Sequence, residues 1–156
     1  MRHRLALLSL TLSVLCLACG PAAEPTPPTT PPTTPLDGPA GPHSGQPQLA
    51  VEDDGAVLLS WIEPVDSSRH AFRYARYDGV DWSPPQTIAT GTDWFVNWAD
   101  VPSLRPLPDG RHVAHYLESS GPGVFAYDVR ITQTTDDGTW QPALTPHRDG
   151  TQTEHG

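Results

Sequence analysis

An all-β fold of two four-stranded antiparallel units is predicted by three features of this sequence. Short apolar runs rich in β-formers recur between turn signals: Ala56-Val57-Leu58-Leu59-Ser60-Trp61-Ile62 is one, and Phe72-Arg73-Tyr74-Ala75-Arg76-Tyr77 alternates apolar with charged residues. Asp-Gly pairs at 54–55 and 109–110 are tight hairpin signals. The second half of the chain also repeats the first. Beyond the first 18 residues no long stretch of helical period competes.

The repeat sets the strand boundaries. Pro47-Gln48-Leu49 aligns with Pro102-Ser103-Leu104 at an offset of 55, which also pairs Asp54-Gly55 with Asp109-Gly110 and Trp61 with Tyr116. Ala71-Phe72-Arg73-Tyr74 aligns with Val124-Phe125-Ala126-Tyr127 at 53, while Trp82 with Trp140 and Pro84 with Pro142 stand at 58. The first unit then reads as strands at 47–52, 56–62, 71–77 and 86–90, and the second at 103–107, 111–117, 124–132 and 140–144. Four-stranded antiparallel units every ~50 residues are the pattern of β-propeller blades, of which about four to eight close a ring. Two units span 47–90 and 102–144, with 145–156 as a following loop; the expectation is a partial, truncated propeller.

Ahead of the repeat lie two other segments. Arg2, His3 and Arg4 precede an apolar run, Leu5 to Leu17, too short for a bilayer span of roughly 20 residues. It suits the apolar region of a secretory signal over residues 1–18. Cys16-Leu17-Ala18-Cys19-Gly20 resembles a bacterial lipobox, which implies lipidation of Cys19 and an acyl anchor in place of a spanning helix; an ordinary secretory signal with an incidental Cys is the alternative. Gly20, where an inner-membrane sorting signal has Asp, points to the outer membrane of a Gram-negative bacterium. Residues 19–46 are Pro, Thr, Ala and Gly with almost nothing to bury, so a disordered, polyproline-rich tether is expected, with a glycosylated stalk as the alternative.

Composition excludes several functions. The two Cys, Cys16 and Cys19, both lie in the leader region, which leaves no disulfide and no Cys-based zinc site for the body. All nine basic residues are Arg; with Arg2 and Arg4 removed, 18 acids face seven Arg, and the net charge falls from −9 to −11. Such a surface repels phosphate backbones and anionic lipid, so neither nucleic acid nor charge-driven membrane binding is expected. Gly-rich phosphate loops, Gly-x-Ser-x-Gly elbows and His-Glu-x-x-His helices are missing from the sequence, and no cofactor is expected.

Thr134-Thr135-Asp136-Asp137-Gly138-Thr139-Trp140 resembles the Asp-box of sialidase-like propellers, and Tyr77-Asp78-Gly79-Val80-Asp81-Trp82 is a more degenerate version at the same place in the first unit. The phrases from Asp93 to Asp100 and from His147 to His155 are similar to others in that family. The resemblance implies a propeller acting on or binding glycans; the Asp-boxes themselves are structural, with Asp bonding turn N–H groups, Gly at positive φ and Trp packed between sheets. The family's three Arg, Tyr nucleophile, Glu and Asp cannot be placed on this chain, so a glycosidase, a non-catalytic module binding protein or polysaccharide, and a truncated gene product all remain open.

Candidate site residues concentrate in the two segments that leave the fourth strands. Asp93 and Asp100 are candidates for general acid, or else turn caps. Trp94 and Trp98 are candidates for stacking on sugar faces beside Asn97, or else core between the units. His115 is either a core His or a site residue, and His147, Arg148 and Asp149 are candidates for substrate contacts. No metal is expected: His147-x-Asp149 with His155 is too common a spacing to specify one. Arg73, Arg76 and Arg130 read as a solvated strand face.

Overall fold

The computed structural model describes residues 30–147, and among them every regular element is a strand. The first sheet has the order β1-β2-β3-β4, from Gly45–Val51, Val57–Pro64, His70–Tyr77 and Gln86–Gly91. The second has the order β5-β6-β7, from Ser103–Pro106, His112–Ser119 and Tyr127–Gln133. All neighbours are antiparallel.

The two Asp-Gly hairpins are built alike. Gly55 N–H donates to Glu52 O at 2.9 Å and Gly110 N–H to Leu107 O at 3.0 Å. Asp54 and Asp109 each accept the N–H two residues ahead, at 3.0 and 3.1 Å. Gly55 and Gly110 sit at φ of 87° and 83°, where a Cβ would strain the backbone. The turn at 134–140 also follows its residue chemistry, with Asp137 as the capping carboxylate: it accepts Thr139 N–H at 3.1 Å and the Thr135 hydroxyl, while Gly138 takes φ of 82°. Asp136 points into solvent.

The second unit departs from the expected four strands. Residues 140–144 form no ladder with β7: isolated bridges join Trp140 to Thr134 and Leu144 to Ile131, and Gln141 N–H donates to Gln133 O at 3.0 Å. Pro142 has no N–H to give to a ladder. Side chains of β7 stand in for it: the Thr132 hydroxyl donates to Gln141 O at 2.6 Å, and Arg130 donates to Ala143 O at 2.9 Å. The third strand is also shifted from 124–132. Val124 and Phe125 fall in a Gly-Pro-Gly loop and are exposed, and β7 begins at Tyr127. Register corrects the offset: Trp61 pairs with Arg73 and Tyr116 with Arg130, so β3 matches β7 at 57 residues, and Phe72 answers to Val129 rather than Phe125.

With that register each sheet has two unlike faces. On the first sheet Leu58, Ser60, Ile62, Phe72, Tyr74 and Arg76 share one face, here called the front; Leu59, Trp61, Glu63, Arg73 and Ala75 share the back. The front of the first sheet packs on the Leu104, Ala114 and Tyr116 face of the second, which by register is the second sheet's back. Each back carries an aromatic residue beside a Glu–Arg pair, Trp61 with Glu63–Arg73 at 2.6 Å and Tyr116 with Glu118–Arg130 at 3.3 Å.

The core lies between these faces. Tyr74 meets Trp140 edge-on at 6.1 Å, and Trp94 lies against Tyr116 at 4.6 Å. Polar groups cross with them: Gln48 Oε1 accepts the Leu104 N–H at 3.0 Å, and Glu52 joins His112 at 3.0 Å and Arg76 at 2.5 Å. Arg73, Arg76 and Arg130, expected on a solvated face, are all held in ion pairs.

A Cβ placed on Gly91 would overlap the Trp94 indole. Gly91→Ala is therefore expected to cost about 1–3 kcal/mol through overpacking. Exposed Thr90→Ala should stay within about 0.5 kcal/mol. Urea unfolding midpoints of the two variants check the difference.

Candidate functional site

The segment between β4 and β5 builds the site. Trp94 bridges Glu118, Ser119 N–H donates to Asp93 O at 2.6 Å, and Phe95 N–H donates to Leu117 O at 3.1 Å. Residues 93–95 thus extend the pairing along the edge of β6 that β5 takes up again at Ser103. Between the two stretches the chain bulges away as a loop of 96–101. Its anchors are aromatic on one side, where Phe95 stacks on buried Tyr127 at 4.4 Å, and polar on the other, where Gln46 donates to Asn97 O.

Within the loop Asn97 forms an Asx turn, its Oδ1 accepting the N–H groups of Ala99 at 2.7 Å and Asp100 at 2.8 Å. The turn leaves Trp98 at the tip, 93% exposed. Asp100 and Val101 turn back against the front of the second sheet. There, with His115, Leu117, Val129 and Ile131, they line a cavity of about 440 Å³. His115 Nδ1 lies 2.9 Å from the Ser103 hydroxyl. Burial, then the nearby Arg105 charge, hold its pKa below the ordinary 6.5, so the ring is neutral near pH 7.

The predicted residues separate on this geometry. Asp100 and His115, distant in sequence, share one cavity, and Asn97 shapes its rim. Trp94 takes the core alternative at 9% exposure, so its ring is spent on packing; Trp98 is in solvent and not in the core. Asp93 is exposed, with Thr92 donating to its carboxylate at 3.3 Å, and it does not line the cavity. His147 pairs with Asp128 at 3.5 Å. Arg148, Asp149, His155 and the Cys19 lipobox lie outside the described residues.

Ser103, Val101, Leu117, Val129 and Ile131 carry no local signal and were not singled out from sequence. Their membership follows from strand register, which sequence alone misaligned. Among the described residues no cluster of three or more His, Cys, Asp or Glu stands close enough to hold a metal ion. Neither a scan of protein-family models nor a search of curated proteins finds a match for this chain.

The depressed His115 pKa sets a pH dependence. The unfolded chain binds this proton more tightly than the folded one, so this contribution is complete above about pH 6.5 and declines as pH falls through it. The urea midpoint of the native protein is expected to drop more between about pH 7.5 and 5.5 than that of His115→Gln. Equal drops would remove His115 from the account.

Proposed function

We propose that this chain is an envelope-anchored carbohydrate-binding module built from stacked, propeller-like sheets. The observation that carries the reading is Trp98, a fully presented indole on a pinned loop, beside a cavity with Asp100 and His115 at its wall. An exposed indole gives a flat apolar plane for the C–H face of a sugar, and a carboxylate and a neutral imidazole exchange hydrogen bonds with its hydroxyls. The cavity falls within the roughly 300–1,000 Å³ of small-ligand sites. The similarity of 93–100 and 134–140 to sialidase-like sequences supports the same ligand class.

Binding is favoured over hydrolysis because paired-carboxylate hydrolysis needs two acids flanking one bond. Of Asp93 and Asp100, only Asp100 lines the cavity. The acidic chain, at −9 overall, favours neutral over anionic sugars. The propeller-like reading rests on the front-to-back stacking of two sheets with equivalent registers. Envelope anchoring, at the outer membrane of a Gram-negative cell, rests on the lipobox resemblance at Cys19.

Calorimetric titration of the full chain with neutral and sialylated oligosaccharides is expected to find a ligand whose affinity falls about tenfold or more in Trp98→Ala. Val80→Ala, also exposed but on the turn between β3 and β4, should bind like the native chain. Release of free sugar from any of these substrates would replace the binding reading with a hydrolytic one. For the anchor, Cys19→Ser is expected to abolish incorporation of labelled palmitate in cells and to move the protein out of the membrane fraction; unchanged labelling would exclude lipidation at Cys19.

A further inference from the structure

We infer that Gln46 is a positioning residue of the candidate site, tying the strap that enters β1 to the loop that carries Trp98 and Asp100. Residues 38–47 lie along the back of the first sheet. Gly38 comes against Leu59 and Gly41 against Glu63, while Ala40, Ser44, Gly45 and Pro47 border Leu59 and Trp61. Trp61 is almost fully enclosed there. The strap then joins β1 through a bulge: Gly45 pairs with Ile62 and Gln48 with Ser60, so Gln46 and Pro47 together stand opposite Trp61.

Gln46 takes φ of 53°, a left-handed backbone that Gly, Asn or Asp would adopt more easily. Turn chemistry does not ask for Gln at such a position. What the bulge provides is a direction for the side chain. It aims the Gln46 amide across to the 96–101 loop, where Nε2 donates to Asn97 O and, at 3.4 Å, to Asp100 O. Those carbonyls belong to the first and last residues of the Asx turn, with Trp98 between them. One amide thus clamps the turn from outside and fixes the exposed indole and the Asp100 wall together. The Phe95–Tyr127 stack holds the loop only at its start. A loop already held in one shape loses less freedom when a ligand binds, so affinity depends on Gln46 although Gln46 does not line the cavity. The inference rests on the sugar-binding reading for its ligand, and on this geometry alone for the link between strap and loop.

Nitrogen-15 relaxation of the labelled full chain tests the link without any ligand. Backbone order parameters at residues 98–100 are expected near about 0.85 in the native chain and below about 0.6 in Gln46→Glu, which keeps the side-chain shape and removes both donors. Gln46→Gly, which suits the left-handed backbone and removes the side chain, should loosen the same residues. The hairpin at Asp54-Gly55 should keep its native values in both variants. A role confined to the bulge would leave the loop ordered in Gln46→Gly; that outcome overturns the proposal, as does a native loop already below about 0.6. If Gln46→Glu does not fold by circular dichroism, Gln46→Gly decides alone. Titrated with an oligosaccharide that binds the native chain, each variant should lose about fivefold or more in affinity. Native affinity in a variant with a loosened loop would remove Gln46 as a positioning residue. A native chain that binds no sugar would defeat the sugar reading, and the relaxation result would still decide whether Gln46 holds the loop.

Discussion

Among the described residues each sheet carries apolar side chains on both of its faces, and such side chains are stabilised by being covered. Val57, Leu59 and Trp61 alternate along β2 with Leu58, Ser60 and Ile62. Along β6, Val113, His115 and Leu117 alternate with Ala114 and Tyr116. One covering is supplied by the neighbouring sheet, where Leu58, Phe72 and Leu104 are almost fully enclosed and Tyr74, Trp94, Tyr116 and Trp140 interlock. Burial of this kind is the dominant favourable term of the fold. Burial also raises the pKa of Tyr74 and Tyr116, whose hydroxyls sit at the edge of that core.

The same demand explains the polar links between the sheets. Glu52 reaches from the end of β1 to both Arg76 and His112, and Gln48 satisfies a β5 N–H that has no strand partner on that side. A buried carboxylate or amide is tolerated only with its hydrogen bonds made, and these fix one sheet's register against the other. The candidate site follows from the core as well. Trp94 plugs the gap between the sheets, and its fixed position forces the chain to bulge before β5 resumes, which throws Trp98 outward and brings Asp100 against the second sheet.

Much of the fold was legible in the sequence, because strands and turns are local. The strands of the first sheet fall within two residues of their expected positions. Both Asp-Gly hairpins and the 134–140 turn were marked by residues that select positive φ and accept backbone N–H groups. The errors arose where a second interaction outweighed the local one. Phe125 looked like the equivalent of Phe72, yet the Gly121-Pro122-Gly123 sequence holds it in a loop; Pro142 denied residues 140–144 a ladder. The site was half legible. Asp100, Asn97 and Trp98 announced themselves as an aromatic and polar cluster, whereas Leu117, Val129 and Ile131 read only as strand core.

The sequence by itself determined that the chain would be β, where it would turn and where polar and aromatic residues would gather, since periodicity, Gly and Asp act over a few residues. Tertiary structure alone decided which face of each strand meets which. Trp94 and Trp98 make the division plain: two indoles four residues apart between β4 and β5, one buried against Tyr116 and the other in solvent. Nothing local separates them, because burial depends on what another sheet places opposite, and only packing brings that partner within contact distance.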